Sequence, residues 1–387
     1  MINKIKKLFI NGISVQHGGS DTYLRNLLPI ICKKFDGEIT LLIRTKRSSF
    51  FENIDNLKII KINDELLDTV KKRLFFEHMS IPLLFKKSKA DIFWQVDEML
   101  SPGVSLLQKP TISVFHTSPF ALTNKINSDG LFYNWYIRMI RKYTGNLTTV
   151  PVTVSFHAKA EFSGIYPKAR GRFSVIYHGI DTNHFSPATC TNQNNNIKIT
   201  SPFILSISNR FVWKNYYRLI EAFNLAIMKE NLDLDLVIIG ESKSKFEDER
   251  IRGFINKNGL NERIHIIDYI DQNELPNIYR MAKAYIFPSL VETFGMTILE
   301  AMACGVPVAC SRWGPIPEIA GDSVLYFNPL DILDISNSII SICTDSDLQN
   351  KLISSGLSHV KLFTWEKAAN DYLNILGNIE IYQRQIL

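Results

Sequence analysis

The stretch from residue 286 to residue 322, IFPSLVETFGMTILEAMACGVPVACSRWGPIPEIAGD, constrains the fold of this chain most. A short apolar run ends at Pro288, and apolar residues at helical spacing follow until Gly305. A second short apolar run, VPVAC, comes next. The pattern predicts a strand, a loop, a helix and a second strand, which is the repeating unit of an α/β protein with a parallel sheet.

Two carboxylates belong to this unit: Glu292 in the loop and Glu300 in the helix. If the helix starts near Phe294 or Gly295, Glu300 lies roughly 7–9 Å along its axis, because each residue adds ~1.5 Å. The backbone N–H groups at a helix start favour an anion, and Gly295 has no Cβ to block close approach. This spacing suits the ribose, diphosphate and sugar of a nucleotide sugar. Two ordinary acids on a helix that packs against a sheet are the alternative.

The surrounding residues favour the nucleotide sugar. E-x7-E, followed by AMACGVPV and PEIAGD, resembles the signature of the retaining glycosyltransferases of family 4, which have the GT-B fold. The resemblance implies an α/β chain with two Rossmann-like domains that face each other across a cleft. In that family Glu292 would hold the donor sugar and Glu300 the ribose. The other donor-binding residues of this loop and helix start would be Thr293, Phe294, Gly295, Met296 and Thr297.

Three further segments match the pattern of the family. FILSISNRFVWKN places Arg210 and Lys214 before a helix, where the family uses two cations against a diphosphate that gains charge as its sugar leaves. Gly18 and Gly19 follow the first predicted strand, at the position of the family's glycine loop, and add to the donor site. The stretch after them predicts an amphipathic helix whose inward residues are Tyr23, Leu24, Leu27, Leu28 and Ile31. His116 ends another predicted strand, near the point of sugar transfer in the family, and would orient hydroxyl groups.

Domain boundaries follow from length and resemblance together, since 387 residues suit two domains. VIYHGIDTNHFSP resembles the segment that joins the family's two domains, with His178 in place of the usual asparagine. Asp268 also stands where the family usually has glycine. FTWEKAANDYLNIL resembles a C-terminal helix that crosses back to the first domain. We predict an acceptor-binding domain over 1–180, a nucleotide-sugar-binding domain over 181–365 and a returning helix over 366–387.

Composition argues against several classes of protein. No apolar run approaches the 18 or so residues of a membrane span, and MINKIKKLFING lacks the features of a signal peptide. Five cysteines without a C-x-x-C pair argue against a disulfide framework and a zinc site. D-x-D motifs at 233–235 and 345–347 are candidates for a divalent ion, but Arg210 and Lys214 would serve in its place. We therefore predict no metal, no cofactor and a cytoplasmic location.

The net charge of +6 is unequally divided along the chain. Residues 1–190 hold 26 basic and 15 acidic residues, whereas the remainder holds 18 and 23. No motif of a nucleic-acid-binding protein accompanies the basic half, so we expect no nucleic-acid partner. We predict contact with an anionic membrane at the inner face of the cell membrane, and the alternatives are an anionic acceptor and a merely solvated surface. The basic clusters are Lys4-Lys6-Lys7, Lys71-Lys72-Arg73 and Lys86-Lys87-Lys89.

A second membrane candidate is the aromatic and basic stretch DGLFYNWYIRMIRKYTGNL, residues 129–147. Aromatic and basic residues suit a membrane interface, but such a stripe is more common on a helix that faces a protein core. We therefore predict a core-facing amphipathic helix.

The predicted activity is transfer of a sugar, mannose as first choice, with retention at the anomeric carbon. The donor would be GDP-, UDP- or dTDP-linked, and the acceptor a glycan or a lipid-linked saccharide in bacterial surface polysaccharide synthesis. A catalytically idle GT-B protein that binds a sugar nucleotide or a protein partner is the alternative. The candidate catalytic residues are Glu292, Arg210, Lys214 and His116.

Overall fold

The computed structural model describes residues 5–15, 18–119, 139–140, 143–187 and 201–384. The chain divides into two compact units: Met1–Gly179 together with Trp365–Leu387 form the first unit, and Ile180–Thr364 form the second. Most of the predicted amphipathic helix at 129–147 lies outside the described residues. Each unit has its own sheet and its own apolar core.

The described strands of the first unit form a parallel sheet. They are β1 Lys7–Asn11, β2 Glu38–Arg44, β3 Leu57–Ile62, β4 Ile92–Gln95, β5 Thr111–Phe115, β6 Val150–Thr153 and β7 Ser174–Val175. Their order across the sheet is β3-β2-β1-β4-β5-β6-β7. The chain runs outward from β1 to β3 and then returns, so that Asn11 at the end of β1 pairs with Gln95 at the end of β4. Open α/β sheets place ligands at such a reversal of strand order.

The helices between these strands include the predicted amphipathic helix after β1. Among the described residues they include α1 Gly19–Lys34, α2 Val70–Phe75, α3 Ile81–Ser88, α4 Pro102–Ser105 and α5 Phe156–Ile165. The inward face predicted for α1 is confirmed, since its apolar residues recur at helical spacing and are buried. They are Tyr23, Leu24, Leu27, Leu28 and Ile31.

Helices α2 and α3 are joined by a π-helical turn, Phe76–Ser80, so that residues 70–88 form one continuous helical segment. Its inward residues Phe76, Ile81 and Phe85 belong to an apolar core with residues of β1 and β4. The ring of Phe85 lies 5.1 Å from that of Phe93 in β4. The segment is therefore anchored to the sheet along one face.

The described strands of the second unit form another parallel sheet, which confirms the predicted α/β class. They are β8 Phe203–Ile207, β9 Asp235–Ile239, β10 Ile264–Ile267, β11 Ala284–Phe287, β12 Val308–Ser311 and β13 Leu325–Phe327. Their order is β10-β9-β8-β11-β12-β13, which reverses between β8 and β11. The second sheet therefore repeats the switch point of the first.

The helices of the second unit follow these strands in alternation. They are α6 Tyr216–Glu230, α7 Lys245–Lys257, α8 Leu275–Met281, α9 Met296–Ala303, α10 Ile316–Ala320, α11 Ile332–Thr344 and α12 Ser346–His359. The strand, loop, helix and strand predicted from the stretch 286–322 are confirmed as β11, the loop 288–295, α9 and β12. Helix α9 ends before Gly305, whose φ of +74° suits a residue without a side chain.

The C-terminal helices α13 Trp365–Gly377 and α14 Ile379–Arg384 belong to the first unit. Helix α13 packs on α1, where Nζ of Lys34 donates a hydrogen bond of 2.8 Å to Asn370. The ring of Tyr372 lies 4.4 Å from that of Trp94 in β4. Among the described residues, no helix is both long enough and apolar enough to cross a lipid bilayer.

Candidate active site

Lys214 and Glu292 follow the two strands that flank the switch point of the second sheet, β8 and β11. The structure brings their side chains together, with 2.5 Å between Nζ of Lys214 and Oε1 of Glu292. Both side chains are largely buried, and Nζ also lies 5.7 Å from the centre of the Phe287 ring. A cation and a carboxylate thus lie side by side where open α/β sheets place ligands.

Asn215 fixes the position of Lys214. Its backbone has a φ of +63°, in the left-handed region that asparagine and glycine tolerate best. Its buried side-chain amide donates hydrogen bonds to the carbonyls of Pro288 and Pro329, at 3.1 and 2.7 Å. The loop after β8 is therefore held against the loop after β11, and the residue that follows the lysine has a structural reason to be asparagine or glycine.

Arg210, the second predicted cation, is buried with 1% of its side chain exposed. Its guanidinium donates hydrogen bonds of 2.9 Å to Asp248 and to Asp268, and a further one to the carbonyl of Gly240. The Asp248 carboxyl is partly buried, whereas Asp268 is 67% exposed. Arg210 thus joins the loop after β8 to helix α7 and to the end of β10.

Gly295 forms the N-terminus of helix α9. Its φ of +98° places it in the left-handed region, which a residue with a side chain rarely adopts. Phe294 is buried, with its ring 6.0 Å from that of Phe363, so only its backbone is available to a ligand. Thr293, Met296 and Thr297 are partly exposed around the helix start, whose backbone N–H groups favour an anion.

Glu300, one turn further along α9, is buried. The hydroxyl of Tyr279 in α8 donates a hydrogen bond of 2.9 Å to its Oε2. Burial raises the pKa of the Glu300 carboxyl to about 7, and the hydrogen bond from Tyr279 opposes this rise. The carboxyl therefore changes charge near neutral pH.

The remaining predicted site residues, Gly18, Gly19 and His116, belong to the first unit. Gly18 precedes α1 with a φ of +78°, and no described atom lies within 4 Å of where its Cβ would be. His116 follows β5, and its ring stacks on that of His178 at 5.2 Å. Burial lowers the pKa of His116 to about 4, so this imidazole is neutral at physiological pH. Tyr23 contacts both rings edge-on, at 4.8 and 5.6 Å.

A small polar recess lies at the switch point of the first sheet. Asn11 donates a hydrogen bond of 2.8 Å to Gln95, which donates one of 2.6 Å to Asp97. Residues of the helical segment 70–88 complete the wall, among them Glu77, whose carboxyl pKa is raised by burial. Apolar residues complete the lining, and its amides and carboxyls can hydrogen-bond a ligand rich in hydroxyl groups.

One aspartate of each D-x-D motif has a structural partner. Asp235 begins β9 and pairs with Arg263 at 3.1 Å and with His265 at 2.9 Å. Asp345 caps helix α12 by accepting a hydrogen bond of 2.9 Å from the backbone N–H of Leu348.

Two protein-family models match this chain. "Glycosyltransferase Family 4" matches residues 17–184, and "Glycosyl transferases group 1" matches residues 191–359. The chain belongs to the family 4 glycosyltransferases. Its predicted family is therefore confirmed, and each unit corresponds to one of the two matched models.

Relatives of this glycosyltransferase include two mannosyltransferases of Escherichia coli. O-antigen chain mannosyltransferase B is 32% identical over 161 residues, which are 42% of this chain and 42% of that protein. Serotype-specific mannosyltransferase WbdA is 29% identical over 169 residues, 43% of this chain and 21% of that protein. Sucrose-phosphate synthase of Spinacia oleracea is 28% identical over 191 residues, 46% of this chain and 18% of that protein. The match thus spans less than half the length of each relative.

Solved structures share the fold at low sequence identity. Anabaena Alr3699/HepE in complex with UDP and glucose has a TM-score of 0.76 at 14% identity, over 96% of this chain and 99% of that chain. Sucrose-phosphate synthase from Thermosynechococcus elongatus has a TM-score of 0.73 at 19% identity, over 96% and 98%. These matches confirm the predicted GT-B architecture of two α/β domains.

Sequence reasoning missed the residues that support the candidate site. Asp248 and Tyr279, the partners of Arg210 and Glu300, lie in helices with no motif of their own. Asp268 was noticed in the sequence because it replaces a usual glycine. Its ion pair with Arg210 was not predicted.

Proposed function

We propose that this chain is a retaining glycosyltransferase that transfers a sugar, mannose as first choice, from a nucleotide sugar. The acceptor we propose is a glycan or a lipid-linked saccharide in bacterial surface polysaccharide synthesis. The observation that carries the proposal is the Lys214–Glu292 pair at the switch point. The two Escherichia coli mannosyltransferases among the relatives support the choice of sugar.

The donor would lie along helix α9 in the second unit. Its diphosphate would accept hydrogen bonds from the backbone at Gly295 and Met296, with Nζ of Lys214 beside it. The ribose hydroxyls would donate to Glu300, and the sugar hydroxyls to Glu292. As the sugar leaves, negative charge grows on the diphosphate, and Lys214 stabilises it.

Arg210 would exchange one partner when the donor binds. Its pair with Asp268 is partly open to solvent, whereas its pair with Asp248 is less exposed. A phosphate group can replace the exposed carboxylate, because both accept hydrogen bonds from a guanidinium. Asp268 would then keep the loop in position until the diphosphate arrives.

Retention at the anomeric carbon would follow from displacement on the front face of the sugar. The leaving phosphate would help to remove the proton from the acceptor hydroxyl. We assign no side chain as a covalent nucleophile. The anomeric configuration of the isolated product, determined by nuclear magnetic resonance, tests this point directly.

Activity is expected to persist in excess EDTA. We propose that Lys214, Arg210 and the helix start at Gly295 neutralise the diphosphate without a metal ion. The measurement is the initial transfer rate in EDTA against buffer alone. Loss of activity in EDTA with recovery on adding Mn²⁺ or Mg²⁺ would contradict the proposal.

The donor nucleotide is best found by thermal shift. GDP, UDP, dTDP and ADP are compared, since a nucleotide at 100 times its Kd adds about 2.7 kcal/mol to the free energy of unfolding. The matching nucleotide sugars are then tested for transfer and for hydrolysis. A protein that binds a nucleotide but neither transfers nor hydrolyses any of its sugars is the catalytically idle alternative.

The acceptor would bind in the polar recess of the first unit. Asp97→Asn is expected to raise the KM for acceptor about tenfold, because a charged hydrogen bond to a hydroxyl becomes a neutral one. An asparagine oxygen can still accept the hydrogen bonds from Gln95 and from the backbone of Met99, so the recess should keep its shape. The readout is KM for acceptor together with the nucleotide-induced thermal shift. An unchanged KM would place the acceptor elsewhere.

A further inference from the structure

The helical segment 70–88 presents three large apolar side chains to solvent. Phe75, Met79 and Leu83 are 66%, 53% and 54% exposed. Residues four apart in an α-helix drift around its axis, since one turn takes 3.6 residues. The π turn Phe76–Ser80 is wider, at roughly 4.4 residues per turn. The segment as a whole therefore averages close to four residues per turn. The three side chains therefore form one apolar stripe.

Exposed lysines lie at both ends of this stripe. Lys71 and Lys87 continue its four-residue spacing. The other exposed lysines of the same stretch are Lys72, which pairs with Asp68 at 3.0 Å, and Lys86 and Lys89. The stripe is therefore flanked by positive charge, which is the arrangement of helices that lie at the surface of anionic membranes.

Within residues 71–89, acidic side chains are kept away from this face. Residues 71–89 are all described, and their one acidic residue, Glu77, is partly buried. Its Oε1 lies 2.9 Å from Nε of Arg73, on the side of the helix that lines the polar recess. Within 71–89 no exposed carboxylate interrupts the basic and apolar surface.

We propose that the exposed face of residues 70–88 docks on an anionic lipid bilayer. The apolar stripe enters the boundary between headgroups and acyl chains, and the lysines lie against the lipid phosphates. The opposite face is fixed in the core by Phe76, Ile81 and Phe85, so the segment stays attached to the first unit when its exposed face binds lipid. Charge complementarity selects lipid over a second copy of this chain, whose matching face carries the same lysines.

This face refines the membrane contact expected from charge alone. Of the first basic cluster, Lys4 lies outside the described residues, and Lys7 pairs with Glu38 at 2.9 Å. In the cluster at 71–73, Arg73 lies on the side of the recess and pairs with Glu77. The lysines of the cluster at 86–89 are exposed. The link to a lipid-linked acceptor rests on the proposed function, because Arg73, Glu77 and His78 of the same segment line the polar recess. The docking itself does not rest on the proposed function.

Vesicle co-sedimentation tests the proposal without donor or acceptor. Wild-type protein is expected to bind vesicles containing phosphatidylglycerol and to bind neutral phosphatidylcholine vesicles at least tenfold more weakly at low salt. The variant Phe75→Ser, Met79→Ser, Leu83→Ser should lose at least tenfold in partition. The matched control is Phe246→Ser, Met228→Ser, Leu333→Ser, which changes the same three residue types at second-unit positions 62% to 74% exposed. This control should bind like wild type.

Two further variants keep the test decisive if the stripe variant folds poorly. Lys71→Gln, Lys86→Gln, Lys87→Gln should weaken binding at low salt and lose its difference from wild type as salt rises. In the Met79→Trp variant, lipids with brominated acyl chains should quench the fluorescence of the new side chain. In the Phe246→Trp variant they should not.

Several outcomes would overturn the proposal. They are equal partition to anionic and neutral vesicles, wild-type binding by the folded stripe variant, and an unquenched Met79→Trp. A wild-type dimer that the stripe variant dissociates, without vesicle binding, would assign this face to a second copy. Because every readout is lipid binding or mass, failure here leaves sugar transfer untouched, and failure of transfer leaves docking untouched.

Discussion

Replacement of Lys214 by alanine is expected to lower kcat by about 30- to 1000-fold. Nζ of Lys214 would face negative charge that grows on the diphosphate as the sugar departs, and loss of one such partner costs ~2–4 kcal/mol of transition-state stabilisation. The substitution also leaves the largely buried Glu292 without its cation. The measurement is kcat at saturating nucleotide sugar, with the melting temperature recorded alongside.

Lys229→Ala is the control for this prediction. Lys229 is an exposed lysine of α6 that contacts Asn337, and its removal should leave kcat unchanged. Wild-type kcat in a folded Lys214→Ala protein would remove the loop after β8 from the active site. Arg210→Ala is a poorer test, because the buried guanidinium also holds Asp248 and Asp268. Its loss should lower the free energy of unfolding as well as the rate, and the two effects would be difficult to separate.

Local patterns in the sequence were sufficient to predict the strands and the helix around the site. Strand β11, helix α9 and strand β12 follow the apolar runs and the glycines that bound them, because hydrophobic periodicity and positive φ are properties of neighbouring residues. The inward face of α1 followed for the same reason. The residues Lys214 and Glu292 are 78 positions apart, and the parallel-sheet pattern alone places both at the carboxyl edge.

Tertiary contacts explain what the sequence could not predict. The burial of Arg210 depends on Asp248 and Asp268, which lie 38 and 58 positions away and come close only when β8, β9 and β10 pair. The stacking of His178 on His116 likewise joins the end of β5 to a distant segment. The π turn Phe76–Ser80 left no signal in residue types, although it aligns the apolar stripe.

Glu300 is expected to make stability and donor affinity respond to pH in opposite directions. Its pKa in the folded protein is about 7, above the ordinary 4.5, so the folded state holds an extra proton between these values. This contribution to stability is present below pH 4.5 and is lost as pH rises through 7, by at most about 3 kcal/mol. Glu300→Gln cannot titrate, and its free energy of unfolding should change less between pH 5 and pH 8. Chemical denaturation at both pH values measures the difference.

Donor affinity should rise over the same pH interval. Ribose hydroxyls donate more strongly to a carboxylate than to a carboxyl group, and the ionised fraction of Glu300 grows from about one tenth at pH 6 to about nine tenths at pH 8. We expect kcat/KM for the nucleotide sugar to increase about tenfold between these pH values. At pH 8, kcat/KM of Glu300→Gln should lie about 10- to 150-fold below that of wild type, because a charged hydrogen bond of about 1.5–3 kcal/mol is lost.

The intact nucleotide sugar is the correct probe for this pH dependence, because a free nucleoside diphosphate has a terminal phosphate that itself titrates near pH 6. Glu249→Gln, an exposed carboxylate of α7, is the matched control and should keep the wild-type profile. A Glu300→Gln profile parallel to that of wild type would show that another group titrates. Glu300 would thus have two roles: as a buried acid it destabilises the fold at high pH, and as a carboxylate it would hold the ribose. A variant that is more stable at pH 8 yet binds donor less tightly is the expected signature of a group placed in α9 for binding rather than for packing.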